Sequence, residues 1–85
     1  MTATPSAIRQ AVIDSVQAIA PEADFDTVDP RRPLREELDL DSFDFLNVLI
    51  ELHGRLGVEI QEADYARVGT LDALLAYLAA RLDAG

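Results

Sequence analysis

Aliphatic residues recur at spacings of three and four along most of this chain, and no strand-length stretch alternates apolar with polar residues. That period belongs to helices that each bury one stripe against their neighbours. Cysteine is absent, so neither a disulfide nor a thiolate-bound metal can hold such a fold together. Aliphatic packing must do so, since 49% of the 85 residues are hydrophobic, only 6% are aromatic and none is Trp. A chain of this length makes one domain and buries about 60% of its unfolded surface, which leaves a thin core. With 4 Gly and 4 Pro, the composition is not that of a disordered or fibrous chain.

Thr4-Pro5 reads as an N-cap followed by Pro at the first helical position, where its missing N–H costs nothing. Ile8, Ala11, Val12, Ser15, Val16 and Ile19 then form one stripe, predicting a first helix over about 5–20 that Pro21 closes. Residues 21–40 contain Pro21, Pro30 and Pro33 together with Asp24, Asp26 and Asp29, and so form a long loop. Phe25, Val28, Leu34 and Leu38 would pin it to the core, with a single helical turn over 34–38.

Asp41 opens a second helix over about 41–56, with Asp44 at the third helical position as in a capping box. Phe43, Leu46, Leu49, Ile50 and His53 make one stripe of this helix, and Phe45, Val48, Leu52 and Leu56 make another. Two stripes predict burial on more than one face. Gly57 is a natural C-cap, and Val58-Glu59-Ile60 is an extended link with Ile60 pointing inward. A short third helix over about 62–67 would pack through Ala63 and Tyr65. Thr70 would cap a fourth helix over about 70–82, lined inside by Leu71, Leu74, Leu75, Leu78 and Leu82. The predicted fold class is all-α, a four-helix bundle of three longer helices and one short one, with a long loop between the first two.

Charge narrows the partners. The formal net charge is -9, from 16 acidic and 7 basic residues, and every basic residue is Arg. Such a surface repels phosphate backbones and anionic lipid headgroups, which argues against nucleic-acid binding and electrostatic membrane docking. It attracts basic protein patches instead. The first twenty residues lack the basic start and apolar run of a signal peptide, and no stretch of about 18 apolar residues could span a bilayer. A cytoplasmic, monomeric protein is the expectation.

Few side chains could catalyse. His53 is the only histidine, and it lies 11 residues beyond Ser42 on the same predicted helix. At about 1.5 Å per residue that is roughly 16 Å along the axis, too far for a nucleophile and its base. No Asp/Asn/Gly spacing of the EF-hand type is present, so no metal site is expected. The conspicuous feature is Leu38-Asp39-Leu40-Asp41-Ser42-Phe43-Asp44, which sets a lone hydroxyl among carboxylates at the first turn of a helix. Unpaired N–H groups and the helix dipole favour a phosphate there. Taken alone, Ser42 reads more readily as an ordinary helix-start residue, since Ser is common there.

Its surroundings say more. Residues Leu34 to Leu78 resemble the acyl carrier protein family, whose signature is Asp-Ser-Leu opening the second helix, then an acidic residue, an apolar helix and Gly-(Val/Ile)-Glu-Ile. Here these stand as Asp41-Ser42-Phe43, Asp44, Leu46 to Leu56 and Gly57-Val58-Glu59-Ile60, with Thr70-Leu71-Asp72-Ala73-Leu74-Leu75-Ala76-Tyr77-Leu78 matching the last helix. The resemblance implies a four-helix bundle of acyl-carrier type. It implies that Ser42 is esterified by 4'-phosphopantetheine, donated from coenzyme A by a phosphopantetheinyl transferase. The arm's thiol would hold acyl groups as thioesters and present them to partner enzymes, an acyl-activating ligase, synthase or acyltransferase. The protein itself would be non-catalytic, with Asp41 capping the helix and facing the transferase.

Phe43, Asp44, Asn47 and Glu51 are the candidate partner-recognition residues. Glu36, Glu37, Asp39, Asp41, Asp44 and Glu51 fall in a stretch with no basic residue, which would steer basic docking surfaces toward Ser42 or serve only as a solvated face. Phe43 is either an apolar contact for partners or a core residue. Asp39 stands where the family has a small residue, commonly Gly. Asn47 replaces a frequent Glu, His53-Gly54-Arg55 replace acidic residues, and Gln61 stands where Pro is usual. These departures point to a specialised carrier in lipid, fatty-acid or polyketide-type biosynthesis, and a chain that starts at Met and ends soon after its fourth helix is expected to be free-standing. An aminoacyl or peptidyl carrier and an unmodified helical adaptor are the alternatives, and the lack of Gly-Gly ahead of Asp41 favours acyl cargo.

Overall fold

The computed structural model describes residues 4–84. Helix α1 spans Pro5–Ile19, α2 is the single turn Leu34–Glu37, α3 spans Ser42–Leu56 and α4 spans Leu71–Ala84. Two 3-10 segments, Phe25–Thr27 and Glu62–Val68, complete the chain, and no strand occurs among the described residues. The Glu62–Val68 segment occupies the third position of the expected bundle. Helix α1 lies against both α3 and α4, and the second 3-10 segment lies against α4.

The three long helices each start where a side chain satisfies a free N–H group, whereas the single turn α2 follows Pro33 with no side-chain cap. Thr4 Oγ1 accepts from the Ala7 N–H at 3.1 Å, the Asp41 carboxylate from the Asp44 N–H at 2.7 Å, and Thr70 Oγ1 from the Ala73 N–H at 3.1 Å. Only half of the expected capping box forms at α3. The Asp44 carboxylate makes no return bond to Asp41, being one methylene shorter than the Glu that usually reaches back. Gly57 ends α3 with φ 70°, and its N–H donates to the His53 carbonyl at 2.8 Å.

The core takes Ile8, Val12 and Val16 from α1, Phe45, Val48, Leu49 and Leu52 from α3, and Leu71, Leu74 and Leu78 from α4. Phe25, Leu34, Leu40, Val58, Ile60 and Val68 fill it from the connections. Leu34, Leu52, Leu74 and Leu78 are fully buried, each worth about 1.5–3 kcal/mol of transfer free energy. The expected pegs Phe25 and Leu34 are thus in place, with Val28 and Leu38 half-buried beside them.

Three expectations are corrected. Helix α3 is buried on one face, because the bundle has nothing to lay on the other: Phe43 is 70% exposed, Ile50 is 59% exposed, and Leu46 and His53 also face solvent. Core packing is thereby excluded for Phe43. The third element is a 3-10 helix anchored by Val68; Tyr65 packs half-buried against the core as expected, but Ala63 is exposed. The tighter winding turns Val68 inward at the point where the chain enters α4. The long loop, finally, contains a 3-10 turn at Phe25–Thr27, capped by the Asp24 carboxylate accepting from the Asp26 N–H at 2.9 Å.

That loop is tied down at both ends. The Asp29 N–H donates to Glu37 Oε1 at 2.7 Å, and the Asp29 carboxylate accepts from the Arg31 N–H at 3.0 Å. The second bond is the main reason Asp29 is held below the ordinary carboxylate range. The loop is also stitched to the start of α4, where the Leu34 N–H donates to the Gly69 carbonyl at 2.8 Å and the Asp72 N–H to the Pro30 carbonyl at 3.0 Å. Pro33 and Thr70 face each other in an isolated antiparallel bridge between these bonds.

Candidate functional site

The loop delivers Ser42 to the first residue of α3. Two connections set its place. The Leu40 N–H donates to the Arg35 carbonyl at 2.8 Å, and Leu40 is buried, so the residues just ahead of the serine are closed back onto α2. Between them Asp39 takes φ 54°, the left-handed conformation that favours glycine and that Asp tolerates better than most residues. This is the position where the sequence departs from a small residue, and the backbone explains why one is common there.

Ser42 itself is exposed, and its hydroxyl has no hydrogen-bond partner among the described residues. The Asp44 and Phe45 N–H groups donate to the Asp41 carboxylate and carbonyl, at 2.7 and 3.0 Å. The N–H groups of Ser42 and Phe43 stay free, pointing out of the positive end of a helix of 15 residues. The arrangement can therefore seat a negatively charged group bonded to the serine oxygen.

A cleft of about 640 Å³ opens beside Ser42, lined by Phe43, Phe45 and Leu46 of α3, by Tyr65, Ala66 and Gly69 on the far wall, and by Pro33 and Arg35. On the opposite flank of α3 lies a second hollow of about 350 Å³, which includes Glu22, Asp24, Glu37, Asp39 and Asp44. At about 100° per residue, Ser42 and Asp44 point to opposite sides of the helix, which is why each joins a different hollow.

Of the residues singled out from the sequence, Asp41, Ser42 and Phe43 cluster exposed at the tip of α3. Asp44, Asn47 and Glu51 follow at spacings of three and four as a half-exposed stripe, and Glu51 pairs with Arg55 at 3.6 Å. Phe43, Leu46 and Ile50 form an apolar ridge alongside it. Leu46 and Ile50 were assigned to the core by periodicity, which counts apolar stripes but not the neighbours that cover them. Arg35 was missed altogether; the one sequence signal was its position as the last base before an acidic run. Among the described residues no group of three or more His, Asp or Glu could hold a metal ion, and no helix is long and apolar enough to cross a membrane.

Residues 10–78 match the protein family described as the phosphopantetheine attachment site. Neither a curated protein nor a solved structure matches the chain. The family match covers most of the sequence and the whole of the region built around Ser42, so this chain belongs to the phosphopantetheine attachment family, whose domain is the site of covalent 4'-phosphopantetheine attachment.

Proposed function

We propose that Ser42 is the attachment residue and that the protein is a non-catalytic carrier of acyl groups, specialised for a small set of partner enzymes. One comparison carries the reading. The matched region contains two serines, and Ser15 is fully buried while Ser42 is exposed at a helix start. Only Ser42 can meet a modifying enzyme.

The residues around it fit the group. In the transfer, the Ser42 oxygen bonds to the phosphorus of coenzyme A's pantetheine phosphate, the pyrophosphate bond breaks, adenosine bisphosphate leaves, and the hydroxyl proton passes to a base of the transferase. Asp41 holds the first turn in register, and the N–H groups of Ser42 and Phe43, free among the described residues, would be available to the phosphodiester. When bound, the arm supplies a terminal thiol that holds acyl groups as thioesters, a sulfur this cysteine-free chain lacks. Phe43, Leu46 and Ile50 offer partners an apolar contact, and Asp44, Asn47 and Glu51 give its polar margin. The acidic surroundings favour partners with basic docking faces.

Incubation with coenzyme A and a broad-specificity phosphopantetheinyl transferase, followed by intact mass measurement, tests the reading. One arm per chain is expected for wild type and none for Ser42→Ala. Wild type with unchanged mass would leave an unmodified helical adaptor instead.

A further inference from the structure

We propose that Arg35 is a positioning residue for the arm: its guanidinium draws the phosphodiester on Ser42 toward the apolar cleft and away from the acidic hollow across α3. The proposal rests on Ser42 as the attachment residue.

A phosphodiester adds a negative charge to a place already crowded with them. Asp39, Asp41 and Asp44 all lie within three residues of Ser42. The serine stands between two hollows of opposite character. The acidic one is lined, among the described residues, by Glu22, Asp24, Glu37, Asp39 and Asp44, of which only Glu37 has an arginine partner, Arg32 at 3.6 Å. The larger one is mainly apolar, and Arg35 is the one charged residue that lines it among the described residues. Arg31, Arg32, Arg55 and Arg67 each pair with a carboxylate at 3.5–3.6 Å, whereas Arg35 has no ion pair among the described residues. A planar guanidinium with several N–H donors suits the oxygens of a phosphodiester.

Arg35 is also held where it can act. Leu34 beside it is fully buried and bonded to Gly69, and the Arg35 carbonyl accepts the Leu40 N–H two residues before the serine. The backbone spacing between Arg35 and Ser42 is therefore fixed even though the Arg35 side chain is exposed. An exposed charge pair biases an equilibrium by up to about five-fold. Attraction on one side and repulsion on the other act in the same direction, so the arm leaves Ser42 along Leu46 and Tyr65.

The test compares amide and arginine Nε–H spectra of ¹⁵N-labelled protein before and after attachment, with attachment checked by mass. In wild type, shift changes are expected at Arg35 Nε–H, Leu46, Tyr65, Ala66 and Gly69, with Asp24 and Glu37 silent. Arg35→Glu should reduce the changes at Tyr65 to Gly69 at least two-fold while those at Phe43 persist, and Arg35→Lys should keep most of them. Wild-type changes confined to residues 41–44, or falling on the acidic hollow, would overturn the proposal without any variant. So would an unaltered pattern in Arg35→Glu. A wild-type chain that gains no mass overturns the attachment reading and this one with it; a loaded chain with the wrong pattern overturns this one alone.

Discussion

Ser15 and Ser42 are the same residue under opposite constraints. Ser15 sits in the middle of α1 with no exposed surface, and its hydroxyl has no hydrogen-bond partner among the described residues. A buried hydroxyl left unpaired loses its water bonds without return. Ser15→Ala is therefore expected to raise stability by about 1 kcal/mol in urea denaturation and to leave attachment at Ser42 unchanged. A loss of stability would reveal a bond to the Ser15 hydroxyl through water. Asp39 shows how far single positions were legible. The resemblance marked it as a departure from Gly, yet only the backbone angle of 54° says what the small residue is for. Ser42 is the opposite case: a hydroxyl at a helix start is ordinary by itself, and it draws attention only through the motifs that surround it along the chain.

At the scale of elements, what the sequence encodes within a few residues was readable, and what depends on distant neighbours was not. Thr4, Asp41, Thr70 and Gly57 are caps, and a cap is defined by the three or four residues beside it. Periodicity overstates the burial of Leu46 and Ile50 and leaves Phe43 open between core and partner contact, because these three look no different in sequence from Phe45, Val48 and Leu52. The 3-10 winding of Glu62–Val68 was likewise hidden, being fixed by contacts with α4. One such contact is the Tyr77 hydroxyl, which donates to the Asp64 carboxylate at 2.7 Å while Asp64 also pairs with Arg67 at 3.5 Å. The bond to Asp64 raises the Tyr77 pKa above its ordinary value near 10.0. A raised folded-state pKa means that the stabilisation is complete below the unfolded value and is lost as pH climbs through the folded one. Tyr77→Phe should cost about 1 kcal/mol at neutral pH. Wild type and the variant should converge in stability above the folded-state pKa, as followed by urea titrations across alkaline pH. A gap that stays constant throughout would disprove the coupling.

For the molecule as a whole, charge governs encounter. The net charge of -9 is distributed so that α3 begins among carboxylates and carries the apolar ridge outward. Steering by exposed charges fades within about 8 Å at physiological ionic strength. Asp44→Arg should slow attachment by the transferase several-fold at low salt, with unchanged thermal unfolding, and the difference should shrink as salt is raised. Equal rates at low salt would remove electrostatic docking from the account. The overall architecture was legible because a thin aliphatic core with prolines between its stripes admits few solutions, and the radius of gyration of 11.7 Å is close to the roughly 12 Å of a well-packed chain of this size.

The stitches between the long loop and the start of α4 have a further consequence. Leu34 to Gly69 and Asp72 to Pro30, together with Leu40 to Arg35 inside the loop itself, are all main-chain bonds, indifferent to which side chains decorate the loop. The serine's address is thus written in the polypeptide backbone, while the charges and apolar patches around it form an interchangeable livery. A lineage, or an engineer, can repaint that livery for a new client enzyme and still find the hydroxyl standing at the same door.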